Sequence, residues 1–339
     1  ISLSLWKNRM NKNKIYTDKD VSFDLLHNKI VGVIGYGNQG RAQALNLKDS
    51  GVNVIIGLRK ESSTRVKAEK DGFSNIMSIH QLVKKSDIVC FMIPDEEIPE
   101  LFRDIEKYIN PKQALLFSHG YCVHFKKINI PEFVDVIMVA PSGAGKMVRQ
   151  QYINNKGVPN LIAIHQDYTK TAFKIALSYS KNIGGTKVGA FISTFEEETV
   201  SDIFGEQAIL TGGIPFLIKN SFDVLVEEGY SPIVAWFVCY YEVKSIVDLF
   251  HEHGFEFLNN SISNLAEYGG LTKGEFLIDD QVKLKMKEML KEIKNGNFVS
   301  EWENEKNTGN LLLGDKRDKI KKSKIEEMNQ KMLKILLKK

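Results

Sequence analysis

Three acidic residues in the second half of the chain have the types and the spacing that a divalent cation requires. Asp202 and Glu206 lie four residues apart, so on a helix they share one face, where two like charges repel each other unless a cation lies between them. Their hard oxygen ligands favour Mg²⁺. Glu242 lies inside the apolar run 232–243, so we expect it to be buried, and a metal shared with Asp202 would compensate for that burial. The alternative for Asp202 and Glu206 is a solvated acidic face that continues the three glutamates at 196–198.

A glycine-rich turn in the first half of the chain is typical of a dinucleotide-binding site. The sequence Gly35-Tyr36-Gly37-Asn38-Gln39-Gly40 directly follows a β-branched apolar run and opens a helical pattern. In such a turn Gly35 allows the tight bend, Gly37 lets the backbone approach a pyrophosphate, and Gly40 lets the helix pack on the strand. The N terminus of the helix then presents N–H groups and a positive dipole to the pyrophosphate. We therefore predict a nicotinamide dinucleotide site; the alternative is that the glycines serve only a turn.

The end of the second predicted strand favours NADPH over NADH. An NAD-binding protein usually has Asp or Glu here, which accepts a hydrogen bond from the ribose 2′-hydroxyl. This chain instead has Arg59, Ser62 and Thr64, and a cation beside hydroxyls suits a 2′-phosphate. Glu61 would repel that phosphate if its side chain pointed inward, so the strictness of the preference stays open.

A sheet must position these residues, and the hydrophobic pattern predicts one. Short β-branched runs alternate with helical patterns in the first half of the chain, which indicates a parallel sheet covered on both faces. The predicted strands are 29–34, 52–56, 88–93, 114–117, 134–139 and 161–164, and the first two predicted helices are 39–50 and 63–71.

After about residue 188 the strand signals stop and only helical patterns follow. The predicted helices are 196–212, 215–228, 232–253 and 280–295. The third is well delimited, because Ser231 and Pro232 form an N-cap with an N1 proline and Gly254 is a C-terminal stop. The sequence thus predicts an α/β Rossmann domain over residues 1–187 and an all-helical domain over residues 188–339.

Composition excludes several function classes. The 46 basic and 42 acidic residues give a net charge of only +4, too even to indicate nucleic-acid binding. The lysine-rich tail from residue 273 has helical spacing and is interpreted as a solvated face, with an acidic partner surface as the alternative. The apolar run 233–241 is about half of the roughly 20 residues that a membrane span needs. Residues 1–14 lack the pattern of a secretory signal, and the three cysteines are widely separated, so we expect a cytoplasmic protein.

Several segments together resemble the ketol-acid reductoisomerase family in its short form. They lie at 35–40, 117–120, 124–125, 136–141, 202–207 and 261–269, within a likeness that extends from residue 16 to about residue 302. The family rearranges a 2-hydroxy-2-alkyl-3-keto acid by Mg²⁺-assisted alkyl migration and then reduces the resulting 2-keto acid with NADPH. The resemblance therefore implies conversion of 2-acetolactate to 2,3-dihydroxyisovalerate, in branched-chain amino-acid biosynthesis.

The resemblance also implies which residues bind the cofactor. Arg59, Ser62 and Thr64 would hold the 2′-phosphate. The residues that would line the rest of the cofactor are Tyr36, Gly37, Asn38, Gln39, Asp95, Glu96 and Gly145.

The remaining implied residues concern the reaction itself. His119 matches the family's active-site histidine, although a histidine in this position could also belong to a helix start or to the core. Asp202 and Glu206 match metal ligands, with Asp202 bridging two ions, and Glu242 matches a ligand of the second ion. Ser263 matches a substrate contact. Because the family's helical domain is knotted and builds its site across a dimer, Glu242 and Ser263 would act in the site of the partner subunit, in a homodimer or a larger homo-oligomer.

Three positions depart from the family pattern. Val238 stands where the family has a glutamate, Ser142 where it has a lysine, and Lys146 where it has a histidine. A ligand of the second metal and a catalytic cation are therefore missing from their usual places. The alkyl migration depends most on both metals, since they polarise the ketone and stabilise the alkoxide. Three hypotheses therefore remain: the full family reaction, reduction of a different small 2-keto acid without migration, and a non-catalytic dinucleotide-binding protein.

Overall fold

The computed structural model describes residues 14–336, which form two compact units that divide between Thr199 and Val200. The boundary expected from the sequence was near residue 187, before the last strand of the sheet. The expectation that residues 1–14 hold no secretory signal falls on a segment of which only Lys14 is described.

The strands of the described residues form one nine-stranded sheet in the first unit, in the order β1-β9-β8-β7-β6-β5-β2-β3-β4. The strands are β1 Ile15–Tyr16, β2 Ile30–Ile34, β3 Asn53–Gly57, β4 Ile76–Met77, β5 Ile88–Phe91, β6 Ala114–Phe117, β7 Asp135–Pro141, β8 Asn160–Gln166 and β9 Ala190–Ile192. Strands β2 to β7 are mutually parallel and have the order 3-2-1-4-5-6 of a doubly wound dinucleotide-binding fold. The predicted Rossmann architecture is therefore confirmed.

The edges of the sheet differ from the expected all-parallel arrangement. Strand β8 is antiparallel to β7, and β1 is antiparallel to β9. Strands β1, β4 and β9 contain only two or three residues each, too few to produce a hydrophobic pattern that the sequence alone would reveal. The central strands are buried on both faces, as their β-branched sequences predict.

Helices cover the sheet. They are Asn38–Asp49, Arg65–Lys70, Ile79–Lys85, Ile98–Ile105, Tyr121–His124, Gly145–Ile153 and Ala172–Asn182, and the helix Phe195–Gly205 follows the last strand. The first of these begins directly at the glycine-rich turn, with Gly37 at its N-cap. This arrangement is the one that the fingerprint predicts.

Within the described residues, the second unit is helical throughout. Its α-helices are Gly213–Glu227, Pro232–Trp236, Val243–His253, Phe255–Asn260, Asn264–Leu277, Asp280–Lys294, Asn297–Asn307, Leu311–Lys321 and Lys324–Leu336. Two π-helical segments, Glu206–Leu210 and Phe237–Tyr241, interrupt helices that the sequence predicts as continuous. Such segments are rare and frequently occur at functional sites.

Many large apolar side chains of the second unit are exposed in the single chain. Leu265 and Phe276 are each 82% exposed, and a small buried cluster is centred on Phe222 and Trp236. One helical run, Phe195–Glu227, is long and apolar enough to cross a membrane on length and composition alone, which is weak support for a span. Large exposed apolar surfaces also mark protein–protein interfaces.

Candidate active site

A crevice opens at the carboxyl ends of β2 and β5, where the strand order of the sheet reverses. Ligands of doubly wound sheets bind at this position. The cavity has a volume of about 350 Å³, and its walls include Gly37, Asn38, Gln39, Pro94, Asp95 and His119. Five of the predicted site residues therefore surround one cavity.

The geometry of the glycine-rich turn explains its composition. Gly35 has a φ of 92°, in the left-handed region, and a Cβ there would lie 2.6 Å from the carbonyl oxygen of Met92. A Cβ on Gly40 would lie 2.6 Å from the carbonyl oxygen of Gly35, which would force the helix off the strand. A Cβ on Gly37 would meet no atom within 4 Å. Gly37 therefore borders open space, as a backbone that approaches a pyrophosphate requires.

Two further residues that were predicted to line the cofactor, Gly145 and Tyr36, pack against or within the same turn. A Cβ on Gly145 would lie 2.1 Å from the carbonyl oxygen of Asn38, so this glycine allows the helix Gly145–Ile153 to begin against the turn. The ring of Tyr36 is buried, and its hydroxyl donates to Asp71 at 2.9 Å. The Tyr36 side chain thus packs below the turn, away from the crevice wall.

The segment expected to hold the 2′-phosphate follows β3 in two successive turns. The Ser62 and Thr64 hydroxyls are 2.9 Å apart, close enough to contact one anion together. The Arg59 side chain is 77% exposed, and its Nη2 lies 3.4 Å from Oε2 of Glu97. Glu61 is exposed to solvent.

His119 and Asp95 form a hydrogen-bonded pair on the crevice wall. His119 follows β6 and Asp95 follows β5, so adjacent parallel strands end at the same edge and bring the two together. Nδ1 of His119 lies 2.7 Å from Oδ2 of Asp95. An ionised Asp95 accepts from Nδ1–H, which makes Nε2 the acceptor nitrogen of the neutral ring. Glu96, the neighbour of Asp95, is half-buried in the same short 3₁₀ turn.

A network of hydrogen-bonded polar side chains supports the crevice wall that carries His119. The sequence did not reveal this network. Gln43, fully buried, donates through Nε2 to the Ser118 hydroxyl at 3.0 Å and to Oε1 of Gln39 at 3.1 Å. Tyr179 donates to Oε1 of Gln43 at 2.9 Å. Gln39 in turn donates to the carbonyl oxygen of Gly143 at 2.8 Å. The available sequence signal was the spacing of Gln43, one helical turn after Gln39.

Glu198 is a second supporting residue that the sequence did not reveal. Only the alternative interpretation of Asp202 and Glu206 placed it, on a solvated acidic face, whereas its side chain is buried. Its Oε2 accepts a hydrogen bond from the backbone N–H of Gly120 at 2.8 Å. Glu198 therefore fixes the backbone one residue after His119. Nothing in the run of three glutamates distinguishes Glu198 from its exposed neighbours.

In the second unit, the predicted metal ligands lie where α-helix changes to π-helix. Asp202 belongs to the last α-helical turn, Glu206 is the first residue of the segment Glu206–Leu210, and both are exposed. Among residues 14–336, no group of three His, Cys, Asp or Glu side chains is arranged to hold a metal. A single chain therefore offers two carboxylates, and Glu242 does not join them.

The expected burial of Glu242 is wrong for the single chain. Glu242 is exposed and follows the second π-helical segment, at the N-cap of the helix Val243–His253. Its apolar neighbours Val238 and Tyr241 are also exposed, at 48% and 56%. The apolar sequence around Glu242 thus marks a surface of the chain, and the prediction failed because it assumed that an apolar helix packs within its own chain.

The other predicted positions are also at the surface. Ser263 is the N-cap of the helix Asn264–Leu277, where its hydroxyl accepts from the Ala266 N–H at 3.3 Å. Ser142 is exposed in the turn after β7, and Lys146 is the second residue of the helix Gly145–Ile153, also exposed.

Comparison with known proteins gives consistent matches over both units. Residues 25–189 match the family model described as "Acetohydroxy acid isomeroreductase, NADPH-binding domain". Residues 195–337 match the model described as "Ketol-acid reductoisomerase, C-terminal domain".

Curated and solved relatives are similar over nearly the whole chain. The chain is 47% identical to the ketol-acid reductoisomerase (NADP(+)) of Pyrococcus abyssi, over 94% of this chain and 96% of the relative. It is 46% identical to that of Methanocaldococcus jannaschii, over 95% of this chain and 98% of the relative. The solved structure of an NADH-preferring ketol-acid reductoisomerase from an uncultured archaeon superposes with a TM-score of 0.92 at 41% identity, covering 95% of this chain and 99% of that one.

Proposed function

Because the chain belongs to the ketol-acid reductoisomerase family, we propose that it is an NADPH-dependent enzyme that converts an acetohydroxy acid such as 2-acetolactate to the 2,3-dihydroxy acid. The observation that carries this proposal is the likeness to such enzymes over 94% of the chain. The crevice at the reversal point of the sheet supports it, since the residues that would bind a dinucleotide line that crevice.

In the proposed cofactor site, the N terminus of the helix Asn38–Asp49 and the backbone of its N-cap, Gly37, would hold the pyrophosphate. Arg59, Ser62 and Thr64 bind the 2′-phosphate, which distinguishes NADPH from NADH. The archaeal relative that prefers NADH shows that members of this family differ in this choice. The 2′-phosphate contacts are therefore the part of the cofactor site that most needs measurement.

We assign the proton transfers to His119. Oδ2 of Asp95 keeps a proton on Nδ1 of His119, so Nε2 accepts the proton from the 2-hydroxyl of the substrate as the alkyl group migrates. The same nitrogen returns the proton to the 3-oxygen as that oxygen becomes an alkoxide. When bound, NADPH would supply the hydride that reduces C2 of the 2-keto acid, and solvent would supply the proton for its oxygen. Asp95 acts throughout by fixing the tautomer and orientation of the ring.

The residues of the second unit fit Mg²⁺. Mg²⁺ keeps several water ligands and needs only one or two protein carboxylates, and Asp202 and Glu206 offer two exposed carboxylates one helical turn apart. When bound, the metal would polarise the ketone and stabilise the developing alkoxide. Glu242 and Ser263, exposed on the same unit, are proposed to reach the site of a partner subunit.

The proposal includes a homodimer or a larger homo-oligomer. The exposed apolar side chains of the helical unit, such as Leu265 and Phe276, need a protein partner to leave water. A second copy of the chain supplies the same surface, as in most soluble homo-oligomers. As a biosynthetic enzyme of this family, the protein is proposed to act in the cytoplasm.

Two residues that depart from the family pattern, Val238 and Ser142, favour a second candidate function. This function is the reduction of a preformed 2-keto acid without alkyl migration. Val238 offers no oxygen to a metal and Ser142 offers no positive charge. Loss of about 4 kcal/mol of alkoxide stabilisation would slow the migration roughly 1,000-fold. Hydride transfer depends less on these groups because the cofactor carries the chemistry.

Consumption of NADPH tests the proposal. The unmodified protein should oxidise NADPH when Mg²⁺ and 2-acetolactate are both present, and oxidation should stop when either is omitted. His119→Gln should abolish the substrate-dependent rate without weakening NADPH binding, because it removes the proton acceptor. His80→Gln is the matched control, since this histidine also pairs with an aspartate, Asp104 at 2.6 Å, but on the surface. Equal rates in the two variants would contradict the assignment of His119.

A further inference from the structure

Asp71, which lies outside the crevice, joins the two turns that are expected to contact the cofactor phosphates. Both of its carboxylate oxygens accept from Arg41: Nε donates to Oδ2 at 2.6 Å and Nη2 donates to Oδ1 at 2.9 Å. The Tyr36 hydroxyl also donates to Oδ2 at 2.9 Å. Tyr36 belongs to the glycine-rich turn and Arg41 to the first turns of the helix that follows it.

The position of Asp71 in the chain connects these contacts to the turn that contains Arg59, Ser62 and Thr64. Asp71 is the C-cap of the helix Arg65–Lys70, and that helix begins directly after Thr64. The turn that contains Arg59, Ser62 and Thr64 is therefore connected by one short helix to the carboxylate that binds Tyr36 and Arg41. The short helix and the Asp71 carboxylate together connect the two turns.

The Asp71 contact is partly buried and charged. The Asp71 side chain is 17% exposed and that of Arg41 is 37% exposed. The hydrogen bonds from Arg41 lower the pKa of Asp71, so the carboxylate is ionised at neutral pH. Burial raises the pKa of Tyr36, and the hydrogen bond to Asp71 raises it further, so the phenol stays protonated and donates. Two side chains thus donate three hydrogen bonds to one carboxylate, and the two from Arg41 form a bidentate pair.

Backbone contacts strengthen the same junction. Nζ of Lys48 donates to the carbonyl oxygens of Asp71 at 3.1 Å and Gly72 at 2.7 Å. The Phe73 ring packs edge-on against Tyr36, with ring centroids 5.7 Å apart. The segment after the helix Arg65–Lys70 is therefore fixed to the glycine-rich turn and its helix by side chains and backbone together.

We propose that Asp71 is a positioning residue that fixes the separation between the pyrophosphate turn (35–40) and the 2′-phosphate turn (59–64), so that one NADPH molecule contacts both. This inference rests on the proposed cofactor site. A ligand that bridges two preset sites gains its second contact at little further entropic cost. A ligand that occupies only one turn gains nothing from a fixed separation. Asp71 should therefore matter for bridging ligands and not for single-site ligands.

Direct binding measurements on the full chain separate these cases. Three ligands are titrated against Asp71→Asn by intrinsic fluorescence: NADPH, which spans both turns; 2′-AMP, which carries only the 2′-phosphate; and ADP, which carries only the diphosphate. We expect the Kd of NADPH to rise about tenfold, because an uncharged amide with one acceptor oxygen faces three donor groups, while the Kd values of 2′-AMP and ADP stay within about twofold. Asp49→Asn is the matched control, because it breaks an ion pair of 2.6 Å with Arg149 at the C-terminal end of the helix Asn38–Asp49, far from the glycine-rich turn. It should leave all three Kd values unchanged.

Each other result has a definite meaning. Equal losses for all three ligands would show that Asp71 only maintains the local fold, and no loss for NADPH would show that the separation is fixed elsewhere; either overturns the inference. If the unmodified protein binds NADPH and only the variants behave unexpectedly, the proposed function stands and the role of Asp71 fails. If the unmodified protein does not bind NADPH, both fail. Tyr36→Phe, which removes one hydrogen bond and keeps the ring, should weaken NADPH alone by about threefold, so the test survives if Asp71→Asn does not fold.

Discussion

Replacing Arg59 by alanine should reduce the affinity for NADPH and leave the affinity for NADH almost unchanged. The guanidinium is the cation of the turn after β3 that we assign to the 2′-phosphate, and NADH lacks that phosphate. A hydrogen bond to a charged group contributes about 1.5–3 kcal/mol. Because the Arg59 side chain is 77% exposed, water competes for the contact and the lower end applies. A loss of about 1.5 kcal/mol corresponds to an approximately tenfold weaker Kd for NADPH.

The ion pair between Arg59 and Glu97 supplies an independent check of the same reasoning. Glu97 lies 3.4 Å from Arg59 and must share the guanidinium with any bound phosphate. An exposed pair of this kind contributes about 0.2–1 kcal/mol, so Glu97→Gln should tighten NADPH binding by at most about fivefold. The two substitutions should thus move the NADPH affinity in opposite directions.

Fluorescence titration of both cofactors against each variant measures these effects. Lys60→Ala is the control, since it removes an adjacent exposed cation that has no assigned contact. Its NADPH affinity should stay within about twofold of the unmodified protein. Equal affinities of the unmodified protein for NADPH and NADH, or an equal loss of both on Arg59→Ala, would refute the assignment of the 2′-phosphate site.

The remaining predictions concern the second unit and the departures from the family pattern. Asp202→Asn should weaken Mg²⁺ binding by at least about tenfold in calorimetric titration of the protein without substrate, since one of two carboxylates loses its charge; an unchanged affinity would place the metal elsewhere. An equal mixture of refolded Asp202→Asn and Glu242→Gln chains should recover about a quarter of the unmodified activity, because half of the dimers are mixed and each has one intact site; no recovery would mean that Glu242 acts within its own chain. The substitutions Val238→Glu and Ser142→Lys made together should raise the rate of acetolactate conversion more than either change alone, as expected for groups that act on one transition state; a double variant no faster than the better single variant would contradict this expectation.

Much of the fold follows from local patterns in the sequence. The central strands and the helix Asn38–Asp49 were predicted within one or two residues, because β-branched runs and the glycine-rich turn are strong local signals. The antiparallel direction of β8 was not predictable, since a buried antiparallel strand is as uniformly apolar as a parallel one. The π-helical segments were also not predictable, because a single π-helical turn within a long helix is too short to produce a periodicity of its own.

The site illustrates the limit of sequence patterns more sharply. His119 and Asp95 are 24 residues apart in the chain, and only the parallel strands β5 and β6 bring their side chains to 2.7 Å. The roles of Gln43 and Glu198 depend on burial, which neighbouring residues of the same type do not share. The burial of Glu242 was mispredicted because an apolar helix gives no indication whether its partner belongs to the same chain.

The most direct test of the account is the identity of the product that forms from 2-acetolactate. The protein is incubated with 2-acetolactate, NADPH and Mg²⁺, in parallel with preformed 2-keto-3-hydroxyisovalerate, and the products are identified and timed by mass spectrometry. We expect 2,3-dihydroxyisovalerate from both substrates, with one NADPH consumed per product. The preformed 2-keto acid should be reduced faster than 2-acetolactate is converted, because Ser142 and Val238 weaken the migration more than the reduction. Failure to form 2,3-dihydroxyisovalerate from 2-acetolactate would contradict the proposed function, and product from the preformed 2-keto acid alone would favour the second candidate. Faster turnover of 2-acetolactate would contradict the role given to the two departures.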